Sequence, residues 1–138
     1  MIALATLLLA AATPTPHPAA TPHPKASPTP KATPSPGPLT KAALVELDHA
    51  ESALAGQWKI TNAFMAGKDA QDQKRSHFSY AAALLDSQKA WRTYRAAACR
   101  VEGGVHAGDV RQPLIVAQCK TALTNARRLQ LKGLMASE

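Results

Sequence analysis

The chain has 138 residues, a formal net charge of +7 and two cysteines. Its length favours one domain over two, and ten of its eleven prolines lie between residues 14 and 38, so about 100 residues remain to form a folded core. Cys99 and Cys119 are too far apart for a Cys-x-x-Cys motif, which argues against a zinc site or a redox centre built on them.

Residues 1–12 are predicted to be a signal peptide. They are apolar except for Thr6, and Ala10, Ala11 and Ala12 supply the small side chains typical of a cleavage site. A transmembrane helix needs about 20 apolar residues, which is more than this run provides. We therefore expect a periplasmic or secreted protein with no transmembrane span.

Residues 13–38 are predicted to be a disordered linker that is rich in Pro, Thr and Ala. Its X-Pro steps favour extended and polyproline II backbone, and the segment has too little apolar surface to pack. At about 3.1 Å per residue it would act as a semi-rigid tether on the order of 80 Å long. A helical domain is then expected over residues 39–138.

A first helix is predicted over residues 41–66, with Thr40 as its N-cap and Gly67 as its end. Apolar positions recur every three or four residues, as an amphipathic helix requires. These positions are Leu44, Leu47, Ala50, Leu54, Trp58, Thr61 and Met65. The polar residues 68–76 are expected to form a linker or a frayed turn.

A second helix is predicted from His77 or Tyr80 to Glu102, and the glycines at 103 and 104 end it. Its apolar stripe alternates at spacings of four and three, as in a coiled coil. The stripe contains Tyr80, Leu84, Ser87, Trp91, Tyr94, Ala98 and Val101.

A third helix is predicted from Gln112 to about Leu134, because Pro113 is favoured in a first helical turn. An antiparallel hairpin would bring Cys99 and Cys119 to similar heights on either side of the loop, and no strand pattern is visible. We therefore predict an all-α fold, a small antiparallel bundle of about three helices with a disulfide-stapled hairpin. Its predicted core residues are Leu54, Trp58, Leu84, Trp91, Tyr94 and Leu123.

Sequence motifs for catalysis are absent. The chain has no Gly-rich phosphate loop, no Gly-x-Ser-x-Gly and no His-Glu-x-x-His, so we predict a protein that is not an enzyme and needs no cofactor or metal. His106 and Asp109 share a glycine-rich loop, where they would form an acid–base pair or serve turn formation and helix capping.

Arg95 lies one helical turn after Trp91, beside the apolar stripe. It is expected to be an exposed cation, a buried partner of Asp86 or Asp109, or a contact for an anion. A guanidinium near a core usually has a carboxylate or carbonyl partner, which favours a structural role.

The segment from residue 84 to residue 129 carries a composite pattern. It reads Leu84-Leu85-Asp86-Ser87-Gln88-Lys89-Ala90-Trp91-Arg92-Thr93-Tyr94-Arg95, then Cys99, then Cys119, then Leu123-Thr124-Asn125-Ala126-Arg127-Arg128-Leu129. This resembles the N-terminal domain of the LprI-type lysozyme inhibitor family, in which a Gln-basic-Ala-Trp-x-x-Tyr-Arg-x-x-x-Cys helix precedes a Gly-containing loop, a Cys and a Leu-Thr-x-x-Arg helix. The resemblance implies an exported, disulfide-bonded helical domain, and the family's name implies inhibition of lysozyme.

The charge of the domain bears on how it would bind such a target. Two of the basic residues, Lys25 and Lys31, lie in the linker, so the domain itself carries +5 rather than +7. Animal-type lysozymes are strongly basic, and an inhibitor of them would need local acidic contacts. We expect partner-binding residues on and near the loop at residues 103–112, which would plug an enzyme cleft. The candidates are Glu102, His106, Asp109 and Arg95.

An alternative is a basic envelope module that binds anionic cell wall or lipid and is tethered by its Pro-rich segment. Binding led by charge should weaken steeply with ionic strength, whereas a plug in a cleft should be much less affected. Nucleic acid is not expected as a partner of an exported protein.

Overall fold

Three α-helices form most of the part of the chain that the computed structural model describes, residues 36–72 and 77–136. They are α1 (Pro38–Asp72), α2 (Tyr80–Gly104) and α3 (Gln112–Gly133). No strand occurs in these residues, and a Cys99–Cys119 disulfide joins α2 to α3 with the two Cα atoms 5.5 Å apart. The predicted all-α bundle with a stapled hairpin is therefore confirmed. The predicted signal peptide and most of the predicted linker lie outside the described residues.

The helices run up, down and up. The first residues of α1 line a hollow together with Val110 and Leu114, so α1 and α3 begin at the same end of the bundle. At the opposite end, the Thr61 hydroxyl donates a hydrogen bond to the backbone oxygen of Leu131, over 3.2 Å. α1 is thus parallel to α3 and antiparallel to α2. We call the end that contains the α2–α3 loop, residues 105–111, the loop end.

The apolar core lies away from the loop end. Its buried members are Leu54, Met65, Leu84 and Leu131, and five partly buried side chains pack against them: Trp58, Phe64, Tyr80, Ala81 and Trp91. Four of the predicted core residues therefore contribute to this cluster, two of them fully buried. A fifth, Leu123, is partly buried on α3.

Small residues bring the helices together nearer the loop end. Ala43 and Ala50 of α1, Gly103 of α2 and Ala117 of α3 are all buried. At Gly103 the contact with α3 is close, since a Cβ atom there would collide with Cγ2 of Val116. A larger residue at this position would therefore force the Val116 side chain or the backbone to shift.

Substituting Gly103 tests this packing against a matched neighbour. Gly103→Ala is expected to lower the free energy of unfolding by about 1–3 kcal/mol, because an added methyl in a packed contact forces backbone shifts. Gly104→Ala, which adds its Cβ into open space, is expected to be neutral or to stabilise by up to about 1 kcal/mol. Urea unfolding followed by circular dichroism measures both, and an equal effect of the two substitutions would contradict the assigned contact.

The predicted bounds of α1 are wrong at both ends. The helix begins at Pro38, which places Thr40 inside it rather than at its N-cap, and it continues through Gly67 to Asp72. Contacts beyond the glycine offset its helix-breaking tendency. The Lys68 ammonium lies 5.5 Å from the centre of the Tyr80 ring, and the Asp69 carboxylate accepts hydrogen bonds from the first backbone N–H groups of α2.

Asp69 therefore caps the helix that follows it. It accepts from the backbone nitrogens of Tyr80 and Ala81 at 2.6 and 3.1 Å and from the Ser79 hydroxyl at 3.1 Å. Partial burial acts to raise the pKa of Asp69, but these hydrogen bonds outweigh it and hold the pKa below its ordinary value. A carboxylate at this position also favours the positive end of the helix dipole.

The predicted stripe of α2 coincides with the buried face at Tyr80, Leu84 and Trp91 and departs from it towards the loop end. Tyr94, a predicted core residue, has 59% of its surface exposed, and Val101 is exposed as well. The buried residues of α2 are Leu84, Gln88, Cys99 and Gly103. Gln88 turns inward because it has a hydrogen-bond partner on α3, and this rotation carries Tyr94 out to solvent.

None of the helices in residues 36–72 and 77–136 combines the length and hydrophobicity needed to cross a membrane. In the same residues, no group of three or more His, Cys, Asp or Glu side chains is placed to hold a metal ion.

Candidate functional site

A polar layer crosses the bundle between the apolar core and the disulfide. At its centre the Arg127 side chain of α3 is only 8% exposed. Its guanidinium donates to Gln88 Oε1 at 3.0 Å, to the Ser87 hydroxyl at 2.8 Å and to Gln130 Oε1 at 3.0 Å. All three acceptors are neutral, and burial lowers the pKa of Arg127.

Arg95 joins all three helices in the same layer. Its Nη1 atom donates to Glu51 Oε1 of α1 at 2.8 Å and to the Thr124 hydroxyl of α3 at 2.7 Å. Its guanidinium also lies 4.9 Å from the centre of the Trp91 ring, within the range of a cation–π interaction. The side chain is 19% exposed, so most of it is enclosed by these partners.

The carboxylate that pairs with Arg95 is not one of those predicted. Asp86 pairs instead with Lys89, one turn along the exposed side of α2, at 3.2 Å. Asp109 pairs with Arg111 at 2.7 Å. Arg95 does have a carboxylate partner, as predicted, but that partner is Glu51 of α1 and not Asp86 or Asp109.

The polar layer contains Gln88, Arg95, Thr124 and Arg127, which all belong to the composite sequence pattern. Their spacing carries a signal that the sequence analysis missed. On α2, residues 84, 88, 91, 95 and 99 recur at intervals of four, three, four and four, which is as helical as the predicted stripe. The sequence of α2 alone could not show which of these two faces is buried, because the answer depends on the hydrogen-bond partners of Gln88 and Arg95 on α3.

The α2–α3 loop is built from successive turns. The backbone N–H of His106 donates to Gly103, that of Ala107 to Gly104, and that of Asp109 to His106, each at 3.0 Å. Gly108 has a φ of +82°, in the left-handed region that other residues rarely adopt. Successive turns of the loop are therefore hydrogen-bonded, and the disulfide lies about two helical turns below it.

Asp109 fixes the exit of this loop. It accepts hydrogen bonds from the Arg111 backbone nitrogen at 2.8 Å and from Arg111 Nη2 at 2.7 Å. The Arg111 side chain and backbone, with a smaller contribution from the charge of His106, lower the pKa of Asp109 to about 2. Two roles were predicted for His106 and Asp109, an acid–base pair or the formation of a turn. Asp109 has the second role, because its carboxylate is bound by Arg111.

This pairing predicts a pH response. Because the folded-state pKa of about 2 lies below the ordinary 3.8, the stabilisation from ionised Asp109 is present above pH 4 and is lost as the pH falls towards 2. Carbon-detected NMR of the carboxyl group should give a midpoint near pH 2. In Arg111→Gln the midpoint should rise towards 3.8, and an unchanged midpoint would show that Arg111 does not hold the carboxylate.

Several apolar side chains are exposed at the loop end. Val105 and Val110 are 81% and 78% exposed, and Leu39 and Val101 are exposed beside them in sequence or space. A hollow of about 260 Å³ between the start of α1 and the loop is lined by Leu39, Val110 and Leu114. It shares Leu39 and Leu114 with a larger groove of about 510 Å³ along the α1–α3 seam. We call Leu39, Val101, Val105 and Val110 the apolar rim.

The four predicted partner-binding residues fall into two places. Glu102, His106 and Asp109 lie together at the loop end, where Glu102 is exposed and His106 is half-buried. Arg95 lies two helical turns below them and faces α1 and α3. The structure thus separates Arg95 from the other three, and the residues that the sequence analysis did not single out are those of the apolar rim.

Comparison with known proteins identifies the family. A family model described as lysozyme inhibitor LprI matches residues 31–131. An uncharacterised protein of Rhizobium meliloti (strain 1021) is 30% identical over 90 residues, which are 64% of this chain and 65% of that protein, so the chain spans somewhat less than two thirds of its relative. No solved structure matches. The family match covers all three helices almost completely, and the chain belongs to the LprI lysozyme inhibitor family.

Proposed function

We propose that this protein is an exported, non-catalytic inhibitor that binds a lysozyme through its loop end. Membership of the LprI family supplies the class of target. The disulfide agrees with export, since such bonds persist in the periplasm and outside the cell and are rare in the cytosol. The predicted signal peptide would direct the domain to that compartment.

The observation that carries the choice of surface is the ordered loop with its apolar rim. Hydrogen-bonded turns restrict the backbone of residues 103–112, which lowers the conformational entropy lost when a partner binds. Exposed Val105 and Val110 offer apolar area at the tip of this loop. Exposed apolar side chains at one end of a domain, edged by polar residues, favour a role in protein–protein contact.

The structure also changes the expected electrostatics of binding. Asp109 already shares its charge with Arg111, so it offers little attraction to a basic lysozyme. Glu102, exposed on the last turn of α2, is the better acidic candidate. Binding would then rest on the apolar rim, with Glu102 contributing to orientation and association rate.

A turbidity assay of lysozyme on cell walls tests the proposal. The wild-type protein should slow clearing, and the double variant Val105→Ser/Val110→Ser should inhibit at least about tenfold more weakly, because two apolar contacts are lost. A matched control, Ile60→Ser/Leu85→Ser, removes two exposed aliphatic side chains from α1 and α2 and should inhibit like the wild type.

The salt dependence of binding separates this function from the envelope-module alternative. Inhibition through the apolar rim should persist between low and physiological ionic strength. If every class of lysozyme stays fully active while the protein sediments with purified cell wall only at low salt, the inhibitor proposal is wrong and the charge-led module is correct.

A further inference from the structure

A second surface feature is a groove between α1 and α2. The groove has a volume of about 380 Å³ and is lined by Glu51, Trp58, Lys59, Trp91, Arg92 and Arg95, among others. That volume falls within the range of about 300–1,000 Å³ that is usual for small-molecule sites. Val101, the rim residue nearest to the groove along α2, follows Arg92 by nine residues of helix, or about 14 Å, so the groove is separate from the apolar rim.

The walls of this groove are aromatic. Trp58 and Trp91, the only two tryptophans in the sequence, are half-buried, with one part of each ring packed on the core and another part facing the groove. Arg95 lies against Trp91 and is itself held by Glu51. The tryptophan rings are therefore positioned by packing before any ligand arrives.

The rim of the groove is cationic. Lys59 on α1 and Arg92 on α2 are both exposed, and neither side chain makes a hydrogen bond or ion pair within residues 36–72 and 77–136. The Arg95–Glu51 pair is internally neutral, so these two cations determine the charge that a ligand meets. Unpaired cations on facing helices are complementary to an anionic group placed between them.

We propose that this groove binds a carboxylated sugar unit of an acidic glycan. The apolar face of the sugar ring would contact Trp58 and Trp91, and its carboxylate would lie between Lys59 and Arg92. Nucleic acid would also offer negative charge and flat rings, but it is not expected as a partner of an exported protein, and the test includes it. An acidic peptide would satisfy the cations but leave the indole rings without a flat apolar partner.

Intrinsic fluorescence reports on this groove directly, because both tryptophans line it. The full chain is titrated with an oligogalacturonate hexamer, and separately with chitohexaose as a neutral glycan of equal length. The acidic glycan should change the tryptophan emission and bind at least about tenfold more tightly than the neutral one, in a salt-sensitive manner. No lysozyme is present, so the result is independent of the function proposed for the loop end.

Two charge-matched double variants localise the binding. Lys59→Glu/Arg92→Glu reverses the cations of the groove, whereas Lys41→Glu/Arg100→Glu reverses exposed cations on the same two helices outside it. The first should weaken acidic-glycan binding at least about tenfold and the second less than about twofold, with circular dichroism melting used to verify that both fold.

Three results would overturn the assignment. Equal loss of binding in the two double variants would show that only overall charge matters. Binding of polyaspartate or of an oligothymidylate as tightly as the acidic glycan would mean that the groove does not select a sugar. Binding without any change in tryptophan emission would place the glycan elsewhere.

Discussion

Arg127→Ala is expected to lower the free energy of unfolding by about 3 kcal/mol or more. The substitution removes hydrogen bonds from a buried guanidinium to Gln88, Ser87 and Gln130, and bonds to charged groups contribute about 1.5–3 kcal/mol each. It also leaves Oε1 of Gln88, a residue that is only 3% exposed, without a hydrogen-bond donor. In addition, it opens a cavity. Urea unfolding monitored by circular dichroism measures the loss.

Two controls accompany this substitution. Arg100→Ala, on the exposed side of α2, should change stability by less than about 0.5 kcal/mol. The double variant Gln88→Leu/Arg127→Leu should recover much of the stability, because replacing both members of a buried polar pair by apolar residues is often neutral or stabilising. A loss below about 1 kcal/mol in Arg127→Ala would mean that the layer is not a structural element.

Removing the disulfide is expected to have an effect of similar size. Cys99→Ala/Cys119→Ala opens a covalent loop with a sequence separation of 20 residues, which corresponds to about 3 kcal/mol in the chain-entropy model. For a domain of about 100 residues the melting temperature should fall by more than about 10 °C. Differential scanning calorimetry measures this shift.

The same variant also separates the two proposed surfaces. The loop end lies directly above the staple, so inhibition of lysozyme should weaken even at temperatures where the helices remain formed. Binding of acidic glycan to the Trp58–Trp91 groove, which involves α1 and α2 below the disulfide, should persist under those conditions. A variant that melts like the wild type would show that the covalent link contributes little to this fold.

The hairpin could be predicted from the sequence because its ends carry strong local signals. Pro113 marks the start of α3, the glycines at 103 and 104 mark the end of α2, and both observed bounds lie within two residues of the predicted ones. α1 could not be bounded in this way. Gly67 resembles a stop signal locally, and only the contacts of Lys68 and Asp69 with the start of α2 show why the helix continues.

The burial of polar residues explains most of what the sequence did not reveal about the sites. A stripe drawn through the apolar residues of α2 placed Tyr94 in the core and left Gln88 outside, although its hydrogen bond with Arg127 makes this polar group stable inside. The loop was correctly located, but its chemistry depends on Asp109 facing Arg111 rather than His106. Lys59 and Arg92 lie on different helices, so no sequence pattern could pair them across a groove.

The parallel arrangement of α1 and α3 has a consequence for the order in which the domain assembles. Cys99 and Cys119 are separated by 20 residues, so the α2–α3 hairpin can close and oxidise as a local unit. The contact of Thr61 with Leu131 joins residues that are 70 positions apart, and α1 has no complete surface to pack against until α3 has formed. During synthesis or export, α1 therefore appears before α2 and α3 but packs against them last. Amide exchange during refolding would show protection appearing in the hairpin before it appears in α1.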